Sequence, residues 1–247
     1  MILYPTLEIL NGTCVSLTRG RLAEPVLWHI DPVATARSFA AAGAEWMHLT
    51  DLNGLLGEKS NNDLIEDIIR AAGIPVQLGG GFRSRETIHR WIDKGAGRIV
   101  LGTLAAQEPD MVKELAKYHP DQIVVAIDIY RGQLMTNGWR TPSVFEADAF
   151  IKEFDGVPLA AVLISDIDAD IEDTDGHLGV ISGLAAQTRH AVIARGTVRS
   201  IDDVARLKYI PNIAGAMISR ALLTRSVDLS EAIKVARPTP ETTAAFI

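Results

Sequence analysis

One cysteine, Cys14, stands among 247 residues, so no intramolecular disulfide can form and a reducing compartment such as the cytoplasm is the expected setting. Cys14 has no His or Cys partner at metal-ligand spacing nearby, which leaves it as a small buried apolar residue. No apolar run reaches about 18 residues, and no charged segment precedes an apolar stretch at the N-terminus, so neither a membrane-spanning helix nor an export signal is expected. Positive charge is in short supply. Lys and Arg number 24 against 31 Asp and Glu, a net charge of −7, which argues against nucleic acid or a membrane surface as partner. Any anion must be held by local basic or backbone donors. What the chain does have is apolar residues, 47% of the total against 22% charged, enough for a large core and too many for disorder.

The pattern along the chain alternates strand with helix. Apolar runs at 2–10, 45–52, 75–78, 98–101, 123–129, 159–164, 191–194 and 215–218 read as eight strands. Asp31-Pro32 reads as a helix cap and first position ahead of Val33 to Ala42, and further helices are expected over Asn61 to Ala72, Arg85 to Lys94, from Pro109, over Val144 to Phe154 and over Ser226 to Val235. The stretch from Thr13 to Ile30, carrying Arg19, Arg21 and Trp28, reads as a long lid or binding loop; Gln133 to Trp139 reads as a second, turn-rich loop, and the tail from 237 to 247 as loose. Eight βα units without a break in composition predict one α/β domain, a (β/α)₈ TIM barrel over 1–247. A doubly wound open sheet is the alternative. Half-chain similarity favours the barrel: Glu8 and Gly12 match Asp128 and Gly132, Asp51 matches Asp166, and Gly80, Arg83 and Ser84 match Gly196, Arg199 and Ser200, at offsets of roughly 115 to 120 residues. Two similar half-barrels would put Glu8 and Asp128 across the mouth from one another.

Gly79-Gly80-Gly81-Phe82-Arg83-Ser84, between a strand and a helix, is the kind of turn whose backbone N–H groups can cradle a phosphate, and Gly102-Thr103 ends the next strand. A tight turn without a ligand is the plainer reading. Glu8 and Asp128 can act as base and acid, or they can hold loops by hydrogen bonds; Asp51, Asp166 and Asp168 suit the second role better. His48 reads as a satisfied core histidine and His177 as lying at a helix start. The acidic run from Asp166 to Asp173 lacks the glycine and spacing of a calcium loop, so no metal site is expected.

Taken together, ILYPTLEILNG at 2–12, EWMHLTDLNG at 45–54, VQLGGGFRS at 76–84, RIVLGTLA at 98–105, AIDIYRG with NGWRT within 126–141, and SRALL at 219–223 resemble the HisA family of phosphoribosyl isomerases of histidine biosynthesis and, more distantly, the HisF cyclase subunit. The resemblance covers nearly the whole chain. It implies a barrel that performs an Amadori-type aldose-to-ketose isomerisation, without metal or organic cofactor, on a phosphorylated small molecule with a phosphate at each end. By position it assigns catalysis to Glu8 and Asp128 and one phosphate site to Gly80, Gly81, Gly102 and Thr103. A second phosphate site falls on Gly196, Thr197, Ser219 and Arg220, and substrate contacts on Arg19, Asp51, Arg83, Trp139 and Ser165. A monomer is expected.

The departures from the family pattern lie at the first catalytic position and in the second half. Glu8 stands where the family has Asp, and its extra methylene moves the carboxylate by roughly an Å, a displacement of the size that alters rates. Arg195-Gly196-Thr197 stands for Ser-Gly-Gly, and Ser219-Arg220 for Gly-Arg. Those changes predict a weakened second phosphate site, with Arg195 as a source of charge there. Three readings follow: the family's own isomerase, a diverged barrel enzyme for a smaller monophosphate, or a phosphate- or partner-binding relative without catalysis.

Overall fold

The computed structural model describes residues 1–59, 61–167 and 174–238. Most of the acidic run (Asp168 to Asp173) and most of the tail read as loose (239–247) therefore lie outside the described residues.

Among the described residues, eight strands form the barrel: β1 (Ile2–Leu10), β2 (Met47–Asp51), β3 (Val76–Gly79), β4 (Arg98–Leu101), β5 (Ile123–Tyr130), β6 (Ala161–Asp166), β7 (Val192–Arg195) and β8 (Ile213–Ile218). Each pairs in parallel with its sequence neighbours, and β8 pairs with β1, so the sheet closes into a ring. This is the (β/α)₈ barrel, and the open-sheet alternative falls. Among the described residues, the longer helices that follow the strands are α1 (Pro32–Ala41), α2 (Asn62–Ala71), α3 (Arg85–Asp93), α4 (Pro109–Tyr118), α5 (Ala147–Glu153), α6 (Thr174–Ala185), α7 (Ile201–Leu207) and α8 (Leu229–Ala236). Asp31 caps α1 by accepting from the Val33 and Ala34 amides, and Pro32 takes the first helical position, where no amide is missed. No helix among the described residues is long and apolar enough to cross a membrane.

Side chains alternate between two cores. Leu3, Leu7 and Ile9 of β1 face the helices in the large outer core, while Tyr4 belongs to the small inner core with Val100, Val124, Ala126, Leu163, Ile193 and Met217. Tyr4 and Trp46 pack near the N-terminal end of the ring, where Arg98 donates to the Tyr4 hydroxyl at 2.9 Å and lies over the Trp46 ring.

The half-barrel correspondence shows in the same local devices. Each half begins with a long strand turned back by a tight hairpin: Leu10 pairs with Thr13 across Asn11-Gly12, and Tyr130 with Gln133 across Arg131-Gly132, with all four turn residues at positive φ. Ser84 caps α3 through the Thr87 amide, and Ser200 caps α7 through the Asp203 amide, each worth about 1 kcal/mol.

Several boundaries differ from expectation. The long stretch after β1 is not all loop, since Thr13–Ser16 and Val26–Trp28 add antiparallel strands to it, with Cys14 opposite Trp28. The turn-rich stretch after β5 likewise contains the strand Gln133–Thr136. Short helices at Leu52–Leu56, Thr103–Gln107 and Arg220–Leu223 follow β2, β4 and β8 directly. Helix α5 starts at Ala147 rather than Val144, which is exposed outside it.

Candidate active site

Period-two alternation sets what reaches the mouth of the ring. On β1, Thr6 and Glu8 follow Tyr4 on the inner face, and on β5 Asp128 follows Val124 and Ala126. Strand β5 stands four places from β1 in either direction round the ring, so the two carboxylates come from opposite walls at the same end.

Asp128 is held from two sides. Trp139 Nε1 donates to its Oδ2 at 2.9 Å, and the Ser165 hydroxyl donates to its Oδ1. Trp139 does this from a left-handed backbone (φ 64°), a conformation a bulky residue adopts only when its surroundings hold it there. Glu8 is buried, and its Oε1 accepts from Arg195 Nη2. The Arg195 guanidinium in turn lies 5.5 Å from the centre of the Trp139 ring. A continuous line of contacts, Glu8 to Arg195 to Trp139 to Asp128 to Ser165, thus crosses the mouth. Below it, His48 Nδ1 meets the Gln77 amide at 3.0 Å and Nε2 meets the Thr50 hydroxyl at 2.8 Å. An amide donor on Nδ1 puts the ring proton on Nε2. Burial, with the charge of Arg195 second, pushes the His48 pKa down to about 3, which keeps the ring neutral; it is a satisfied core histidine.

Among the described residues, two cavities at this end border the carboxylates. The larger, about 360 Å³, lies on the second-half side, between Glu8, the 16–20 segment, Ser165, Gly196, Arg199 and the 219–221 turn. The smaller, about 80 Å³, lies on the first-half side, between Thr50, the Gly79–Arg83 turn, Gly102, Thr103 and Asp128.

At the first-half cavity the glycines have two different reasons. A Cβ on Gly81 would lie 1.8 Å from the Gly54 carbonyl oxygen, and one on Gly80 would lie 2.4 Å from that of Asp51. Backbone packing alone therefore demands glycine at both. Gly102 is not so constrained, as its nearest neighbour would be Ala126 Cβ at 3.7 Å; leaving out its side chain instead clears space in the cavity. Thr103 Oγ1 accepts from the Asn137 amide at 2.8 Å, which leaves its own hydroxyl proton to donate. Arg83 is turned to the backbone, donating to the Gly54 and Gly81 carbonyls at 3.0 Å. Asp51 projects to the side of β2 opposite Thr50, where Asn61 Nδ2 donates to it at 2.7 Å. These two side chains brace the turn.

At the second-half cavity, Ser219 Oγ is buried with no hydrogen-bond partner among the described residues; Thr197 Oγ1 also lacks one, but Thr197 is fully buried and is not part of the cavity wall. Gly196 faces open space at φ 84°, and Arg220 donates to Thr18 Oγ1 at 3.2 Å on the segment that also carries Arg19. The tip of that segment packs on Trp139, because a Cβ on Gly20 would lie 3.3 Å from its ring. Arg195 departs from expectation. It borders this cavity, but its guanidinium is paired with Glu8. The wall residues Ser16, Thr224 and Ser226 were not singled out from sequence, Arg199 was read only as the repeat partner of Arg83, and the contact of Arg195 with Glu8 was not foreseen; the one available signal was a charged residue closing the apolar run 191–194.

A closed parallel barrel with facing carboxylates at its C-terminal mouth, flanked by two cavities built from corresponding turns of two half-barrels, is the architecture of a barrel enzyme for an elongated ligand. The family model described as histidine biosynthesis protein matches residues 2–228, and the chain belongs to that family. It is 55% identical, over the full length of both chains, to the 1-(5-phosphoribosyl)-5-((5-phosphoribosylamino)methylideneamino)imidazole-4-carboxamide isomerase 1 of Ruegeria sp. (strain TM1040). It is 56% identical, again with both chains fully covered, to the isomerase 2 of that name from Ruegeria pomeroyi. A relative from Jannaschia sp. (strain CCS1) with the same isomerase name is 39% identical over 94% of this chain and 98% of its own.

Proposed function

We propose that this protein is an aldose–ketose isomerase acting on the doubly phosphorylated imidazole-carboxamide compound for which its relatives are named, with Asp128 as general acid and Glu8 as general base. The carrying observation is the placement of these two carboxylates on opposite inner walls of the ring, between two cavities. Asp128 protonates the ring oxygen of the aminated ribose, the C1–O bond opens, and an iminium forms at C1. Glu8 removes the proton on C2 to give an enolamine. Protonation at C1 and loss of the hydroxyl proton at C2 then leave the ketose. The Ser165 hydroxyl is the partner suited to both states of Asp128, since it can donate to the carboxylate and, turned round, accept from the acid.

One phosphate belongs at Gly80, Gly81, Gly102 and Thr103, the other at Gly196, Thr197, Ser219 and Arg220. The idle buried hydroxyl of Ser219, on the cavity wall, supports the second site, because an anion there supplies the acceptor it lacks. A side-chain donor thereby takes over where the family pattern has glycine. Arg19 and Trp139 close over the middle of the ligand.

The test is growth rescue. The chain should restore growth without histidine to a cell lacking its own isomerase, and the Asp128→Asn variant should not. Failure of the parent chain to rescue, when well expressed, would favour the smaller-monophosphate or non-catalytic readings.

A further inference from the structure

Two side chains border both cavities, Arg195 and Trp139. Between them they hold both carboxylates. Trp139 donates to Asp128, and Arg195, stacked beside the Trp139 ring, is paired with Glu8. Glu8 is one methylene longer than aspartate, so it needs a restraint that a shorter side chain does not. Its side chain is 6% exposed and that of Arg195 20%, which places the pair largely away from water, where an ion pair fixes geometry more firmly than on the surface. Arg195 is itself fixed. It is the last residue of β7, in register with Ser165 on β6, which holds Asp128. Arginine, serine and acid are therefore set by the adjoining ends of β7, β6 and β5, with the base on β1, beyond the one intervening strand β8, and the indole on the loop that follows β5.

We propose that Arg195 is the positioning residue of Glu8: its guanidinium holds the longer carboxylate against the β7 wall, where it serves as the base, and Glu8 and Arg195 work as one unit. This rests on the isomerase reading above for its kinetic consequence and on geometry alone for its structural one. Substrate contacts made by the turns at 79–84, 102–103, 196–197 and 219–220 lie outside the pair, so loss of the restraint acts on turnover far more than on binding.

The experiment uses the full chain with Arg195→Gln, Arg195→Lys, Glu8→Asp, and Glu8→Asp combined with Arg195→Ser. Arg195→Gln should lower kcat at least tenfold with KM within about threefold, and Arg195→Lys should recover part of the loss. Glu8→Asp alone should be impaired, because the shorter carboxylate is gripped out of place. Adding Arg195→Ser should raise kcat above that of Glu8→Asp, a non-additivity expected of side chains in contact. Loss confined to KM, or effects of the two positions that multiply independently, would overturn the proposal. A crystal structure of Arg195→Gln gives a readout without turnover: Glu8 should leave its present side-chain orientation, and finding it unmoved would also overturn the proposal. If the parent protein turned over no substrate, the isomerase reading would fall, while the position of Glu8 in that variant would still decide the restraint.

Discussion

Replacing glycines one at a time with alanine separates those the backbone demands from the one that only clears space for a ligand. Gly81 has φ 70°, and an added Cβ would lie 1.8 Å from the Gly54 carbonyl oxygen and 2.8 Å from the Leu55 nitrogen. The left-handed backbone alone costs roughly 1–2 kcal/mol for a residue with a Cβ. The overlap cannot be relieved by a side-chain rotation, because its partner is main chain, so the Leu52–Leu56 helix must move. A total of at least about 4 kcal/mol is expected for Gly81→Ala, or about 8–16 °C in Tm for a domain of this size. Gly196 has φ 84° but nothing within 4 Å of the added carbon, which leaves only the backbone term, about 1–2 kcal/mol. Gly102 sits at φ −103° with its nearest contact at 3.7 Å, so Gly102→Ala should fall within about 0.5 kcal/mol of the parent while weakening phosphate binding on that side. Urea unfolding of the three variants, with the slope checked for constancy, reads the series directly. Equal losses at Gly81 and Gly102 would refute the assignment of Gly81 to packing.

His48, with its pKa pushed down to about 3, binds a proton far less readily folded than unfolded. Its contribution to stability is therefore complete above about pH 6.5 and is lost as the pH falls toward 3, with a slope approaching about 1.4 kcal/mol per pH unit; His48→Gln should flatten urea-derived stability against pH over that window, and an unchanged slope would count against it. Cys14 is fully buried and its thiol is pushed up to about 11, chiefly by burial. It should resist a thiol reagent at pH 8 until urea unfolds the chain, and prompt native labelling would contradict that placement. Sulfate soaked into crystals should occupy both rims, and Ser219→Ala should weaken the second-half anion alone; loss at both rims would contradict two independent sites.

The barrel was legible because its strands are largely apolar runs, buried on both faces, that carry a carboxylate or a glycine at or near the end, as at Asp51, Gly79 and Asp128. The cap at Asp31 declares itself within three residues, through Pro32 at the first helical position and the apolar period after it. The half-chain repeat placed Glu8 opposite Asp128 without any contact being known. What stayed hidden depends on partners far along the chain. Thr13–Ser16 is too short to read as a strand until β1 stands beside it, and Thr103–Gln107 has only five residues in which to show a period. Nothing near Arg83 reveals that it grips the carbonyls of Gly54 and Gly81, and the pairing of Arg195 with Glu8 spans 187 residues. The requirement for glycine at position 81 was visible, whereas its steric cause, the Gly54 carbonyl, was not.

The most direct test is single-turnover conversion of the doubly phosphorylated substrate by the purified parent, Asp128→Asn and Glu8→Gln proteins, with binding measured alongside. Both variants should bind substrate within a few-fold of the parent, since the phosphate turns are untouched. Each should lose about 10²- to 10⁴-fold in rate, the range for removing a general acid or base. Undiminished conversion by either variant would contradict the assignment of acid and base to the opposing walls of the barrel.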